Sequence, residues 1–266
     1  MIDKINIFTT LNKDLKSSLK LWKTVIFLSW SDLVGRYRRS VLGPIWIVIG
    51  IAFGSAGIGF LWSEIFDVPR NQIVPSITIG FCIWIFISST VIESPSSLTV
   101  FESSIKNVPL PLSFFPLINL IKQFINFIHS WIIIIIVSII YPPEISLQFF
   151  WFFPSLVITV FNLFLLSFSL SIIGARFRDT QPLVSSVVPI LFFLSPVLFR
   201  LQQVEDIAWI IWLNPFTYFV TILREPLQGA VNDINIYITM LGFTFFNYII
   251  LAILMHLKNK KIIHWI

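Results

Sequence analysis

The stretch FFPLINLIKQFINFIHSWIIIIIVSII, Phe114–Ile140, sets the architecture. It stays apolar for longer than the roughly 20 residues a helix needs to cross a bilayer. Lys122-Gln123 and His129 interrupt it. On either side of it, hydropathy marks further spans at 41–62, 76 to about 94, 150–173, 182–199 and 235–256. Composition agrees: 56% of the 266 residues are hydrophobic and 12% charged, whereas soluble domains carry about a quarter charged residues. The mean hydropathy is +0.89. Too little chain is left for a second soluble domain, so the reading is an all-α polytopic membrane protein with six transmembrane helices in one domain, 41–266, preceded by a distinct segment, 1–40.

That first segment carries eight Lys/Arg and no long apolar run, which excludes both a signal peptide and a span. Its periodicity is helical. At about 100° per residue, Leu15, Leu19, Trp22 and Ile26 fall on the side of Leu11, and Lys13, Lys16, Lys20 and Lys23 fall opposite. Such a basic amphipathic helix suits the cytoplasmic interface, with lysines on anionic headgroups and the apolar stripe at the acyl boundary. The alternative is a solvated helix packed on protein. Six crossings put both termini on one side. With the termini inside, fourteen Lys/Arg are cytoplasmic and only Arg70, Arg200 and Arg224 lie outside, with Lys122 left within a span. The positive-inside rule therefore makes both termini cytoplasmic.

Several functions are excluded early. A single cysteine, Cys82, allows no intrachain disulfide. His129, His256 and His264 lack metal-ligand spacing. Neither a GxxxxGK[ST] phosphate loop nor a GxSxG elbow occurs, so the chain is not read as an ATPase or hydrolase, and no metal site is expected.

Two stretches resist the simple scheme. Between Arg200 and Asn235, the segments 207–213 and 216–223 are apolar but too short to span, and Asn214-Pro215 separates them. Short re-entrant helices satisfy their own backbone there only if packed on protein or water. In the long central run, either the span starts near Phe124, or Lys122 faces a polar interior, or it snorkels to the cytoplasmic interface. Aromatics make up 16% of the chain. Trp46, Phe53 and Phe60 repeat at sevens and form one stripe on the first span. Beside it, Gly43, Gly50, Gly54 and Gly57 make a small-residue face open to close helix approach. Aromatic faces stack on sugar rings without locking one geometry, which suits a sliding glycan; a lipid-facing stripe is the alternative. Arg36, Arg38 and Arg39 stand at the headgroup level, where guanidinium groups grip a diphosphate bidentately or serve as ordinary anchors.

The run Arg36-Tyr37-Arg38-Arg39-Ser40-Val41-Leu42-Gly43-Pro44-Ile45-Trp46 resembles the beginning of the first span in ABC-2-type polysaccharide exporter permeases, which export O-antigen, capsule and teichoic acid polymers. Phe177-Arg178-Asp179 is similar to that family's cytoplasmic loop after the fourth span. Leu213-Asn214-Pro215-Phe216, followed by Arg224 and Gly229, looks like its outer Asn-Pro motif. Lys106-Asn107-Val108-Pro109-Leu110-Pro111-Leu112-Ser113 resembles the approach to its third span. The four motifs stand in register over nearly the whole chain.

The resemblance implies two permease copies working with two ATP-binding subunits that carry the ATP and Mg, with no cofactor on this chain. It implies an N-terminal interfacial helix at residues 11–33, six spans and short re-entrant gate helices on the outer side before the last span. The loop 96–107 would hold the coupling helix, braced by Glu102 and Lys106 four residues apart. The expected cargo is a lipid-linked polysaccharide, O-antigen first, crossing the inner membrane. Arg36, Arg38 and Arg39 would meet the lipid diphosphate; Trp46, Phe53 and Phe60 would line the path; Trp209, Trp212, Asn214, Phe216 and Arg224 would form the outer gate. Membrane lipids are partners and nucleic acid is not. Teichoic acid or capsule export is the nearest rival, then a drug or lipid exporter. A membrane-embedded glycan enzyme or a secondary transporter would need more ionisable groups in the spans than Glu93 and Lys122 supply.

Overall fold

The computed structural model describes residues 7–43, 45–142, 146–200, 203 and 208–258, and among these every regular element is helical. Lys4, Pro44, Lys260, Lys261 and the start of the first expected gate segment, Ile207, lie outside the described residues.

The amphipathic segment forms α1 (Ile7–Lys20) and α2 (Trp22–Tyr37), broken at Leu21. The periodicity predicts one helix; it divides because its halves pack on different partners. α1 turns the fully buried Leu11 toward α11 (Ile234–Lys258), where Phe8 stacks on Tyr248 at 5.8 Å. Tyr248 also donates its hydroxyl to Asn12 Oδ1 at 2.9 Å. α2 turns Val25, Ser29 and Leu33 toward α6 (Phe114–Ile140), and the Ser29 hydroxyl donates to Ile118 O at 3.0 Å. The expected lipid stripe is thus split. Leu11 and Leu15 pack on protein, while Leu19, Trp22 and Ile26 stay exposed alongside Phe27, Trp30 and Val34. Asp14 fixes α1 against the start of α6: its carboxylate oxygens accept the Leu112 and Ser113 N–H groups at 2.9 Å each. A negative charge at that helix end also complements the dipole of α6.

Among the described residues, five helices are long and apolar enough to cross a membrane: α3 (Ile45–Ile65), α4 (Arg70–Glu93), α6, α7 (Phe152–Arg176) and α11. α4 is the most enclosed, packed by α3, α6, α7 and two elements described below. The span expected from Val41 begins at Ile45, because Gly43 turns the chain at φ +54° and gives its N–H to Ser40 Oγ. Within the chain the glycine face stays open. At Gly50 and Gly57 a Cβ would meet nothing within 4 Å, and at Gly54 it would meet only the Phe81 ring. Close approach occurs instead at Gly59, where a Cβ would lie 2.9 Å from Val74 Cγ2. A short turn joins α3 to α4 there and draws their ends together.

The fifth expected span, 182–199, is also corrected. α8 (Thr180–Phe193) stops after 14 residues, about 21 Å at 1.5 Å per residue, against roughly 30 Å of hydrocarbon. Ser195-Pro196 ends it, since proline has no N–H to donate and its ring disfavours helix in the preceding residue. The chain then runs unwound against α4: Val197 O lies 2.9 Å from the Cβ that Gly80 lacks. α9 (Ala208–Leu213) and α10 (Pro215–Leu227) follow, and α10 packs on both α4 and α7.

Candidate functional site

At one end of the bundle, charged residues from α2, α4 and α6 converge. Lys122 Nζ sits 2.9 Å from Asp32 Oδ2 and 2.8 Å from Glu93 Oε2, with its side chain only 10% exposed. Arg36 donates to Glu93 Oε1 at 3.2 Å. The helix carrying Lys122 begins at Phe114, not near Phe124, and the lysine does not snorkel to lipid; it faces two carboxylates within the protein. Sequence reasoning missed Asp32 as a partner. One signal called for an acid, a lone lysine in an apolar run, but no local spacing ties that lysine to Asp32. Arg38 and Arg39 are exposed beyond the end of α2. The three arginines are therefore not equivalent, for only Arg36 joins the cluster.

Beside this cluster, the segment after α4 turns through Ser94–Ser96 and Thr99–Phe101 into α5 (Glu102–Asn107). Lys106 Nζ and Glu102 Oε1 are 2.6 Å apart, the brace expected from their spacing. The Glu102 carboxyl is held below the usual carboxylate range, first by the Lys106 hydrogen bond, then by the Lys106 charge, with Arg178 adding to it. The Phe177-Arg178-Asp179 loop therefore faces α5 electrostatically. Phe177 itself is exposed under the Arg176 guanidinium, at 5.8 Å, and Asp179 precedes α8 without capping it through its side chain. α7 grips the root of the segment. Ser94 donates to Ser167 Oγ at 2.7 Å, and the Pro95 backbone passes so near Gly174 that no Cβ would fit.

Trp46, Phe53 and Phe60 do form a stripe on α3, and it is turned away from the rest of the chain: Phe53 is 78% exposed. Phe60 has a charged neighbour, Arg70, whose guanidinium lies 5.0 Å from the ring.

At the opposite end, the Asn214-Pro215 motif and Arg224 solve the problem set by the unwound chain after α8. Asn214 Oδ1 accepts the Phe216 N–H at 3.0 Å and caps α10, with Pro215 at its first position. Its amide donates to Ser195 Oγ at 2.9 Å and Leu191 O at 3.3 Å. Arg224, 1% exposed, donates to Pro196 O, to Phe199 O at 3.1 Å and to Glu225 Oε1 at 3.0 Å. Irregular backbone at membrane depth persists only when its polar groups are met inside the protein, and these two side chains meet them. Trp212 packs on Tyr218 at 4.8 Å and Phe216 on Trp84 at 5.9 Å, while Trp209 is exposed.

Bilayer-length helices, an amphipathic pair laid across their charged ends and a stapled, partly unwound segment opposite define a multi-pass membrane protein. The chain belongs to the ABC-2 type transporter family, whose pattern matches residues 23–227. As such it is a transport subunit that works with a separate ATP-binding subunit. It is similar to two proteins of Klebsiella pneumoniae named O-antigen export system permease protein RfbA. One is 26% identical over 246 residues, covering 90% of this chain and 93% of the relative; the other is 25% identical over 230 residues, covering 84% and 87%. A protein of the same name from Myxococcus xanthus is 24% identical over 204 residues, covering 74% and 77%.

Proposed function

We propose that this chain is the permease subunit of an ATP-driven exporter that moves a lipid-linked O-antigen across the inner membrane. The observation that carries the reading is likeness to a Klebsiella O-antigen export permease over nine tenths of this chain and of that relative. Two copies of the chain assemble with two ATP-binding subunits, which hold ATP and Mg. Residues 1–40 form the interfacial unit and 41–266 the membrane domain. α8 serves as a shortened fifth crossing, leaving both termini cytoplasmic, and α9 and α10 serve as the outer gate.

Arg38 and Arg39, exposed beside the Arg36 cluster, grip the lipid diphosphate at the cytoplasmic mouth. α5, braced by Glu102 and Lys106 and rooted on α7 through Pro95 and Gly174, receives the push of the ATP-binding subunit. The outward-turned stripe of Trp46, Phe53 and Phe60 supports a path shared with the second copy, along which sugar rings slide. Trp209, Trp212, Asn214, Phe216 and Arg224 belong to the gate that yields at the exit.

The test is complementation. In cells lacking their own permease but retaining the polymer and the ATP-binding partner, this chain restores surface O-antigen, and Arg38→Gln with Arg39→Gln abolishes it while the complex still assembles. Normal export by that double variant overturns the diphosphate assignment. No export of any O-antigen, despite an assembled and ATP-hydrolysing complex, overturns the cargo. Alone in vesicles, the chain hydrolyses no nucleotide.

A further inference from the structure

A cavity of about 80 Å³ lies among α3, α4 and α6, inside the span bundle. Arg36 and Glu93 stand at its mouth, and Ser89, Gln123, Asn126 and Ser130 furnish polar groups along its wall. Gln123 and Asn126 are 3% and 8% exposed. They occupy one turn of α6, and the Asn126 amide donates to Gln123 Oε1 at 3.1 Å. That bond leaves one buried donor, Gln123 Nε2, and one buried acceptor, Asn126 Oδ1, without a protein partner. Lipid tails can satisfy neither group, so an amide pair of this kind persists in a span only beside a hydrogen-bonding ligand.

The polar wall and the two unpartnered amide atoms point to water. A site for one water needs about 10–15 Å³, so the cavity accommodates several waters. We propose that it is a hydrated site: a short water column that begins at the Arg36–Glu93 pair, bridges Gln123 Nε2 to Asn126 Oδ1, and reaches Ser130 and Cys82 in the interior. The column does two things. It keeps the Lys122–Glu93 pair next to water although the lysine is enclosed, and it satisfies the buried Gln123 and Asn126 amide atoms that no protein group meets.

The experiment uses the complete permease and ATP-binding assembly in native membrane vesicles. Cys82, the only cysteine in this chain, is replaced by Ser, and single cysteines are returned at Ser89, on the cavity wall, or at Ile83, fully buried and off it. The probe is methanethiosulfonate ethylammonium, which thiolate attacks to form a mixed disulfide and release methanesulfinate. Thiolate forms where water reaches the sulfur, so Ser89→Cys reacts at least about tenfold faster than Ile83→Cys. Adding Asn126→Leu, which fills the site with an apolar side chain, slows Ser89→Cys toward the Ile83→Cys rate. Should that variant fail to fold, the comparison of the two cysteines decides by itself. Equal rates at the two positions overturn the proposal. Rates are also the same in membranes from cells that make no polymer; protection of Ser89→Cys only when polymer is present would put glycan, not water, in the cavity and overturn it equally.

Discussion

Arg224→Met removes the one side chain that reaches both free carbonyls of the unwound segment after α8. Methionine fills similar volume and donates nothing, so Pro196 O and Phe199 O lose their charged donor inside the protein. A buried acceptor left unmet costs about 1–3 kcal/mol. Two of them set a loss of about 2–6 kcal/mol, with the Glu225 carboxylate losing its partner as well. For a domain of this size each kcal/mol moves the midpoint by roughly 2–4 °C, so thermal unfolding of the purified assembly in detergent falls by at least about 4 °C. Arg224→Lys recovers part of the loss, because an ammonium still donates but its single nitrogen cannot meet the carbonyls and the Glu225 carboxylate from two separate positions as the guanidinium does. Asn214→Leu, acting on the same unwound chain through Leu191 O and Ser195 Oγ, adds less than its separate cost to Arg224→Met, since neighbours in one network are not additive. A midpoint for Arg224→Met within about 1 °C of the parent chain would refute the claim that this arginine holds the unwound segment.

Lys122→Met removes the cation shared by Asp32 and Glu93, leaving Glu93 with Arg36 alone, and lowers stability. Because both carboxylates retain solvent contact, about 1–3 kcal/mol is expected rather than the full cost of a buried pair, and adding Glu93→Gln restores part of it in the same melt. Gly174→Ala forces Pro95 away from α7 and costs about 1–3 kcal/mol by overpacking, and export falls further than the melt because the root of α5 shifts; unaltered export would separate α5 from the drive. Glu102 has a folded-state carboxyl below its ordinary value of 4.5, so its support of α5 is intact above that value and fades as pH falls through the lowered one. Carbon-13 NMR of labelled glutamate reads this directly, and Lys106→Gln moves the Glu102 titration upward. A Glu102 titration unchanged by that substitution would remove the brace.

The bilayer location, the near-exact reach of Phe114–Ile140, the last span, the Glu102–Lys106 brace and the break at Asn214-Pro215 were legible in the sequence. Each depends on chain-local physics: a run of apolar residues long enough to cross, a spacing of four, a proline that separates two short apolar segments. The partner of Lys122 was not legible, because Asp32 stands 90 positions away and only the packing of α2 on α6 brings it within reach. The same holds for Gly59 and Gly80, whose missing side chains matter only because Val74 and Val197 are brought against them. Hydropathy also carried the fifth span through Pro196 to Phe199, since it counts apolar side chains and not free carbonyls. Residue order was enough to place this chain in a membrane and to mark which of its stretches are helical there. Where helix gives way to bare backbone was settled only by packing, because that choice rests on Arg224 arriving from another helix to bond the carbonyls that lipid cannot.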